Sequence, residues 1–440
     1  MSVDRRTFLK VAGAGAVLGG ASELAASESP ARAPALRRSV QGIADVVVIG
    51  AGAFGGWTAF YLRQMGATVT LVDAYGPGNV RATSGDEQRG IRTAYGTNEQ
   101  WTRWASEAIR RWKRFDEEWG VQLGVRLYFP CGDLILRSDE QPFLRQTRAT
   151  WDKLGVKYEV LTPDEVAYRW PVFGLEEIGI GLYEQEAGVG RARRSCEIVA
   201  AAFQKLGGTV VVERARPALQ IGDRLNDVVL ANHDTLAGQQ FVFACGPWLG
   251  FLFPELLGNR MRTPMGFVYY YGTPIGDDRF TWPHMPTWNF PGVTGWAAIP
   301  NDNRGFRVRG FGGGPNSNPD VSDRHIPDRF LRRPRDFLAL RFPGLRDAPL
   351  VQTHACHYES SSSDNFIVDR HPAMRNVWIA GAGNAEGFKQ GPVIGEYIAK
   401  RVLGTQDDPE FDKQFAIPEQ EYEETTDGRG RGRTARRGGG

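Results

Sequence analysis

A glycine-rich turn near the start of the chain has the composition of a phosphate-binding loop. It reads Gly50-Ala51-Gly52-Ala53-Phe54-Gly55. The glycines permit a tight turn and a close approach of a pyrophosphate, and the helix that follows supplies unpaired N–H groups at its start. Asp73 ends the next apolar run, where a carboxylate accepts a hydrogen bond from an adenosine ribose. The order strand, loop, helix, strand and acid predicts a bound dinucleotide; the alternative is a Gly-rich turn that binds nothing.

Thiols are a second group that could do chemistry. The cysteines are Cys131, Cys196, Cys245 and Cys356. Their wide scatter lacks the paired spacing of a zinc finger and does not favour a disulfide framework. Cys196 shares a helical face with Val199 and Phe203, so packing explains it. Cys356 stands between two histidines and is expected in a loop, with a buried structural thiol as the alternative.

A dinucleotide loop requires a parallel sheet with helices, and candidate elements occur at both ends of the chain. A helix with a tryptophan stripe runs between Trp101 and Trp119, and a second helix is expected over 195–206. A buried strand over 241–244 follows. The strand 376–380 precedes a Gly-rich loop and a helix expected to begin near Pro392, because proline is favoured in the first helical turn.

The segments between these elements are rich in strand signals. Residues 125–137 predict a hairpin-like strand pair interrupted at 130–132, and residues 264–311 predict one large antiparallel sheet. The fold class is therefore α/β plus antiparallel sheet, with a discontinuous Rossmann-like dinucleotide domain and an interleaved mixed-sheet substrate domain. The first domain is assigned 44–98, 185–258 and 350–405, and the second is assigned 99–184 and 259–349.

Composition and the two termini limit the functional classes. The 440 residues can bury a large core, and a net charge of +2 does not indicate a nucleic-acid partner. Residues 1–33 carry an Arg5-Arg6 pair, a weakly apolar run and a small-residue cleavage site, which together resemble a twin-arginine export signal to the bacterial periplasm or exterior. A disordered leader is the alternative. No later run is long enough to span a bilayer. Residues 419–440 read as a disordered tail, with partner binding as the less favoured role.

Three separated stretches resemble FAD-dependent amine oxidoreductases of the D-amino-acid oxidase superfamily. The nearest group is monomeric sarcosine oxidase, pipecolate oxidase and fructosyl-amino-acid oxidase. The stretches are the glycine loop with Asp73, the segment RGIRTAYG at 89–96, and the run from Cys356-His357-Tyr358 through DNFIVDRHP at 364–372 to Gly387-Phe388-Lys389. The likeness covers about residues 44–405 and implies an FAD cofactor and a monomer.

The resemblance implies roles for individual residues. In this group the cysteine at the position of Cys356 is bonded covalently to the flavin through its sulfur. Arg92 and Lys389 match the positions that hold the substrate carboxylate, which a guanidinium fork and a point charge suit well. Tyr358 is expected to flank the substrate, and Arg89 to lie near the flavin edge.

The C-terminal glycines complete the implied cofactor site. Gly383, Gly387 and Gly391 would let the backbone approach the isoalloxazine, and Phe388 and Lys389 belong to the same segment. The positive end of the helix expected at Pro392 would stabilise negative charge on the reduced flavin. The implied reaction oxidises a secondary or primary amine beside a carboxylate to an imine, with O2 reoxidising the flavin to give H2O2.

The chain departs from the group at the residue that promotes the oxygen reaction. The group uses a lysine there, whereas this chain has no lysine between Lys205 and Lys389 and places Arg307 at the matching position. Oxidase activity is favoured, and a dehydrogenase that passes electrons to a quinone or another acceptor is the alternative. The loop before Arg89 is also longer than in the sarcosine enzymes.

The substrate is expected to be a small amine with a carboxylate, and aromatic residues bear on its size. The aromatic side chains of the second domain are Tyr269, Tyr270, Tyr271, Trp282, Trp288 and Trp296. Most are expected in the core, but any in the pocket would favour a bulky amine over sarcosine. The rival functions are a flavin dehydrogenase for an α-hydroxy acid or polyol, an NAD-dependent enzyme, and a non-catalytic exported flavoprotein.

Overall fold

The computed structural model describes residues 43–220, 222–299, 304–405 and 408–423. The strands are β1 Ala44–Ile49, β2 Val69–Asp73, β3 Gln88–Ile91, β4 Tyr128–Pro130, β5 Asp133–Arg137, β6 Tyr158–Leu161, β7 Ile180–Glu184, β8 Gly188–Arg191, β9 Thr209–Val212, β10 Ala215–Pro217, β11 Asp227–Leu230, β12 Thr235–Phe243, β13 Met261–Arg262, β14 Met265–Tyr271, β15 Thr287–Phe290, β16 Val293–Trp296, β17 Phe306–Gly314, β18 Leu350–His357, β19 Ser360–Ser361, β20 Ile367–His371 and β21 Met374–Gly381.

The helices alternate with these strands along the chain. They are α1 Ala53–Gln64, α2 Glu99–Phe115, α3 Pro142–Leu154, α4 Pro163–Arg169, α5 Ala192–Lys205, α6 Leu249–Leu252, α7 Pro254–Leu257, α8 Arg332–Arg341, α9 Gly387–Leu403 and α10 Pro409–Gln414. None of the helices within the described ranges combines the length and apolarity needed to cross a membrane. The proposed signal at 1–33 lies outside the described residues.

A parallel sheet forms around the glycine-rich turn, as expected. Its central strands follow the order β21-β12-β1-β2-β9, and β10, β11 and β20 add antiparallel pairs at its margins. Strand β1 is apolar on both faces because both are covered. Val46 and Val48 pack in a cluster with residues of α1 and α9, whereas Val47 and Ile49 face the cluster that includes α6 and α7 residues. The predicted Rossmann-like sheet is confirmed.

Helix α9 begins earlier than expected and places Pro392 in its interior. The backbone N–H groups of Glu386 and Gly387 both donate to the Gly383 carbonyl, and this turn sets the helix start ahead of the proline. The prediction that the helix begins at Pro392 is wrong. Gly391 also has a different role from the one expected, because a Cβ there would lie 2.7 Å from the Trp57 ring. It allows α9 to pack closely on α1.

The second large sheet is mixed. Its order is β18-β14-β17-β16-β15-β5-β7-β6, and β15 pairs in parallel with β5 while the other pairs are antiparallel. The strands of 264–311 are antiparallel to one another, as expected. The sheet is extended beyond them by β5, β7 and β6 from an earlier segment. The expected hairpin over 125–137 is wrong, because β4 joins a small sheet with β3 and β8 while β5 joins the large one. The glycine turn between them separates two sheets.

Aromatic side chains of β14 divide between the two faces of this sheet. Tyr269 and Tyr271 enter one core cluster together with Trp288, whereas Tyr270 points to the opposite face. This alternation follows from the two-residue period of a strand. The core role expected for most of the aromatic residues is confirmed for these side chains.

The assigned domain segments stay a prediction. Two elements contact the domain to which they were not assigned. Helix α2 lies in a segment assigned to the substrate domain, yet its Trp112 ring packs edge-on against Trp57 of α1. Strand β18 lies in a segment assigned to the dinucleotide domain, yet it pairs with β14. Residues 419–423, expected in the disordered tail, are ordered: the Tyr422 N–H donates to the Asn259 carbonyl at 2.8 Å. The rest of that tail lies outside the described residues.

Candidate cofactor and active site

A cavity of about 430 Å³ lies at the carboxyl ends of the parallel strands. Ile49, Asp73, Ala244 and Gly381 line it at the ends of β1, β2, β12 and β21. Ligands of open α/β sheets bind at this edge. The cavity continues to the second sheet, where its lining includes Gly266, Arg307, Arg309, Cys356 and Tyr358. The site therefore bridges the two sheets.

The glycine loop forms one wall of the cavity, and each glycine has a separate geometric reason. Gly50 has φ +104°, and a Cβ there would lie 2.4 Å from the Ala244 carbonyl oxygen. A Cβ on Gly55 would lie 1.9 Å from the Gly50 carbonyl oxygen, so this residue allows α1 to approach β1. Gly52 lines the cavity, and no atom lies within 4 Å of its Cβ position. Ala53 and Phe54 of the loop also line the cavity.

Asp73 holds the loop and faces the same cavity. One of its carboxylate oxygens accepts from the Ala51 N–H at 2.7 Å, and the other accepts from the Tyr75 N–H at 2.9 Å. Burial raises the pKa of Asp73 despite these hydrogen bonds. The carboxylate thus stands where a ribose hydroxyl could reach it, as the sequence predicts.

Two adjacent glycines, each replaced by alanine in a separate variant, should distinguish the steric requirement of the loop from the general effect of alanine on helix stability. Gly55→Ala forces a methyl group against the Gly50 carbonyl, so we expect a loss of about 1–3 kcal/mol in the free energy of unfolding and a lower flavin content. Gly56→Ala is the matched control, because its Cβ would meet its nearest atom at 3.7 Å. We expect that variant to be unchanged or up to about 1 kcal/mol more stable. Denaturant unfolding with the flavin-to-protein ratio measures both effects, and equal stability of the two variants would contradict this geometry.

Asp86 lies at the centre of a buried ionic cluster at the far end of the cavity. It pairs with Arg89 and with Arg307, whose Nη2 lies 3.0 Å from its carboxylate, and Tyr270 donates to it at 2.6 Å. Burial alone would raise the pKa of Asp86, but the two guanidiniums outweigh burial and hold that pKa far below its ordinary range. The Arg307 guanidinium also lies 4.0 Å from the centroid of the Trp296 ring.

Cys356 lies on strand β18 and not in the expected loop. It pairs with Gly266 of β14, and the residue lines the cavity. The Arg89 guanidinium donates to the Cys356 sulfur at 3.1 Å. Burial alone would raise the pKa of this thiol, but Arg89 and the hydrogen bond from His354 lower it overall. A thiol with a lowered pKa beside a cation is the kind that reacts as a nucleophile.

Arg92 and Lys389 occupy a second ionic group, centred on Glu386. Lys389 pairs with Glu386, and the Tyr95 hydroxyl donates to the same carboxylate at 2.8 Å. Burial would lower the pKa of Arg92, but the nearby charges of Glu386 and Asp133 raise it overall. Lys389 stands in the first turn of α9 and not in the Gly-rich loop that was expected before Pro392.

A buried acid supports the Arg92 side of this group. Glu184 accepts from the Thr93 N–H at 2.9 Å and from its hydroxyl at 2.8 Å, directly after Arg92 in the chain. Burial, followed by the nearby Asp133 carboxylate, raises the pKa of Glu184 to about 7. Arg92 is thus positioned by a segment that is hydrogen-bonded into the protein interior.

Most residues expected at the site line the cavity. The lining includes Gly50, Gly52, Ala53, Phe54, Asp73, Arg89, Arg307, Cys356, Tyr358, Gly383, Gly387 and Phe388. Arg92, Lys389, Gly55 and Gly391 stand outside this lining. The six aromatic residues considered for a bulky-substrate pocket are also absent from it, so they give no support to that expectation.

Sequence reasoning missed several charged residues of the site. These are Asp86, Glu386 and Arg309. Glu386 directly precedes the Gly387-Phe388-Lys389 motif, and Asp86 is close to Arg89, so an acid beside each expected cation was the available signal. Arg309 follows Arg307 by two residues on β17, which places both on one face of the strand.

Comparison with known proteins gives one family match and several relatives. A family described as FAD dependent oxidoreductase matches residues 45–401. The peroxisomal sarcosine oxidase of Homo sapiens is 27% identical over 371 residues, which cover 80% of this chain and 90% of that protein. The N-methyl-L-tryptophan oxidase of Yersinia pestis is 24% identical, covering 83% and 95%. A structure of a thermally stable fructosyl peptide oxidase mutant superposes with a TM-score of 0.75 at 18% identity, covering 86% and 94%.

Proposed function

Because the chain belongs to this family of FAD-dependent oxidoreductases, we propose that it oxidises an amine that carries a carboxylate. The observation that carries the proposal is the position of Arg92 and Lys389 around Glu386, with Lys389 directly after two residues that line the cavity, Gly387 and Phe388. The names of the sarcosine and N-methyl-L-tryptophan oxidases describe amines with a carboxylate and support the same substrate class. The proposed product is an imine, which water hydrolyses to a carbonyl compound and a free amine.

The residues of the cavity fit FAD. The open space over Gly52 and the crowded Cβ positions of Gly50 and Gly55 leave a backbone cradle suited to a pyrophosphate. Gly383 and Gly387 also line the cavity, and the N-terminus of α9 directs its positive dipole end there. Bound FAD supplies the two-electron chemistry, and the protein supplies orientation and charge.

The side chains of the second ionic group bind and orient the amine. Arg92 offers a planar fork for the substrate carboxylate, and Lys389 adds a point charge. Because Lys389 already pairs with Glu386, the substrate carboxylate shares this cation with that acid. Glu386 and the Tyr95 hydroxyl give the amine nitrogen a polar partner on the same side. The amine must be neutral when its α-carbon loses hydride, and Tyr358 lines the adjacent wall of the cavity.

Product chemistry tests the amine assignment. The holoenzyme would be incubated with N-methyl amino acids and with the α-hydroxy acids of the same side chains, and methylamine, keto acid, formaldehyde and free amino acid would be quantified. We expect the N-methyl amino acids to give methylamine and keto acid in equal amounts if the α-carbon loses hydride, or formaldehyde and the free amino acid in equal amounts if the N-methyl carbon does. Keto acid from the hydroxy acids alone would mean a flavin dehydrogenase of another substrate class. A holoprotein that forms no product from either series would support the non-catalytic flavoprotein.

Covalent attachment of FAD through Cys356 is part of the proposal. The place of Cys356 in the cavity lining and the lowered pKa of its thiol beside Arg89 support this attachment. We expect the wild-type flavin to stay with the protein through denaturation and acid precipitation, whereas Cys356→Ser releases it to the supernatant. Cys196→Ser is the control, because that thiol is buried on α5 and burial raises its pKa to about 12. Flavin retained by the Cys356→Ser protein would contradict covalent attachment at this sulfur.

The electron acceptor is proposed to be O2, with a quinone or another acceptor as the second candidate. Arg307 supports the oxygen reaction with a positive charge on the cavity wall, but Asp86 and Trp296 hold its guanidinium in place. Photoreduction of the anaerobic holoenzyme followed by air-saturated buffer decides between the two. Rapid recovery of the oxidised spectrum with peroxide indicates an oxidase, and slow recovery indicates a dehydrogenase.

The proposal places the mature enzyme outside the bacterial cytoplasm as a monomer. The paired arginines of residues 1–33 support export of a folded, cofactor-loaded protein. Fractionation of cells that express the full chain, beside an Arg5→Lys, Arg6→Lys variant, tests this step. Retention of both proteins in the cytoplasm would contradict export.

A further inference from the structure

Arg309 introduces a third guanidinium at the end of the cavity that holds Arg89 and Arg307. All three side chains line the cavity. Arg309 lies across Gly266, where a Cβ would meet its Nη2 at 3.1 Å, and its guanidinium is 5.8 Å from the centroid of the Tyr358 ring. Glycine at position 266 thus leaves room for this side chain.

The charges around Arg309 do not balance within the described part of the chain. Asp86 is the carboxylate that pairs with Arg89 and Arg307, and no carboxylate among the described residues forms an ion pair with Arg309. Burial lowers the pKa of Arg309, and the positive charges of Arg307 and Arg89 lower it further. Two N–H groups of Arg307, Nε and Nη1, are also buried without a hydrogen-bond partner. Three guanidiniums therefore face one carboxylate.

FAD does not account for this excess. The reduced cofactor brings at most one negative charge near its isoalloxazine, and the Cys356 sulfur brings none once it is bonded to carbon. One guanidinium then still lacks a counter-ion. A cation that is largely shielded from solvent and has no partner is costly, so the site favours a ligand that brings another anionic group.

On the premise of the proposed amine oxidation, we propose that Arg309 binds a second carboxylate of the substrate. The substrate class is then an N-alkyl amino acid with an acidic side chain. Its α-carboxylate would bind at Arg92 and Lys389, and its side-chain carboxylate would receive the paired N–H groups of Arg309 beside Tyr358. A guanidinium suits this role because its planar fork matches the two oxygens of a carboxylate.

A matched pair of substrates tests this inference. N-methyl-L-glutamate and N-methyl-L-glutamine have nearly the same shape and differ by one charge. We expect the wild-type holoenzyme to prefer the glutamate by about tenfold to a hundredfold in kcat/KM, the range of one charge-assisted hydrogen-bonded pair. Arg309→Gln should remove that preference, Arg309→Lys should retain part of it, and Arg329→Gln, an exposed arginine that lies over Phe330, should retain all of it.

A binding measurement separates this inference from the proposed function. Glutarate and butyrate carry no amine to oxidise, and their dissociation constants follow from perturbation of the flavin spectrum. We expect glutarate to bind at least tenfold more tightly than butyrate, and Arg309→Gln to abolish the difference. Equal affinity for the two acids in the wild type would overturn the inference even if amines are oxidised. An equal loss of turnover for both N-methyl substrates in Arg309→Gln would assign Arg309 to the cofactor and would also overturn it.

Discussion

Asp86→Asn should lower the free energy of unfolding of the holoenzyme by about 3–5 kcal/mol, the usual cost of removing one partner from a buried ion pair. Asp86 and Arg307 each expose about 1% of their side chains, and Arg89 is largely buried beside them. Without the carboxylate, two guanidiniums would repel each other in a place where little solvent screens their charges. Urea unfolding followed by tryptophan fluorescence measures the loss.

The stability difference between the wild type and Asp86→Asn should depend on pH in a way that identifies its electrostatic origin. The two guanidiniums depress the pKa of Asp86 in the folded protein, so its contribution to stability is complete above the pKa of an unfolded aspartate, about 3.9. It declines as the pH falls below that value. The stability difference between the wild type and Asp86→Asn should therefore be constant near neutrality and shrink below about pH 4.

Glu87→Gln is the matched control for Asp86. Glu87 is adjacent in sequence and pairs with Arg193 and Arg304, but these partners are about a third exposed. We expect a loss below about 1 kcal/mol, as for other ion pairs in contact with solvent. Similar losses for the two variants would mean that the cluster around Asp86 has no special role in stability.

Arg92→Gln should reduce kcat/KM for a carboxylate-bearing amine by about a hundredfold to a thousandfold. The variant removes the bidentate partner of the substrate carboxylate, and such losses at buried charged pairs are about 2–5 kcal/mol. Most of the change is expected in KM if Arg92 only binds, and in kcat as well if it also orients the α-carbon over the flavin. Steady-state kinetics with an N-methyl amino acid and with the corresponding N-methyl amine that lacks the carboxylate measure the effect.

Two further variants make the Arg92 result specific. Lys389→Met should give a smaller loss for the same substrate, because a point charge shared with Glu386 contributes less than a planar fork. Lys113→Met removes a cation of an exposed pair with Glu186 and should leave the kinetics unchanged. Flavin content and thermal unfolding show whether each variant is folded. An equal loss for the amine without a carboxylate would contradict the role of Arg92 in binding that group.

The sequence predicts best where local pattern and structure coincide. The run Val46–Ile49, the glycine loop and Asp73 form the expected strand, turn and strand, and neighbouring backbone atoms leave no room for a side chain at Gly50 or Gly55. Cys356, Tyr358 and Gly387 line the cavity, in agreement with the motifs to which they belong. Motif spacing is informative here because it fixes where each residue falls along the chain.

The failures come from contacts between segments that are far apart in sequence. Cys356 is in a strand because β14 is available to pair with it, although the flanking histidines give little indication of a strand. Pro392 lies within α9 because the turn at Gly383 starts the helix earlier. Asp86 is buried only because Tyr270 and Arg307, on a distant sheet, enclose it. The periodicity of apolar residues within a segment contains no information about such contacts.

The most direct test of the account is anaerobic reduction of the bound flavin by substrate. The purified holoenzyme would be mixed with an N-methyl amino acid in the absence of oxygen, and its absorbance would be followed, with the matched α-hydroxy acid in a parallel mixture. If the protein oxidises amines, the N-methyl amino acid bleaches the oxidised flavin spectrum and the hydroxy acid does not. Bleaching by the hydroxy acid alone, or by dithionite but by no amine, would contradict amine oxidation as the function of this protein.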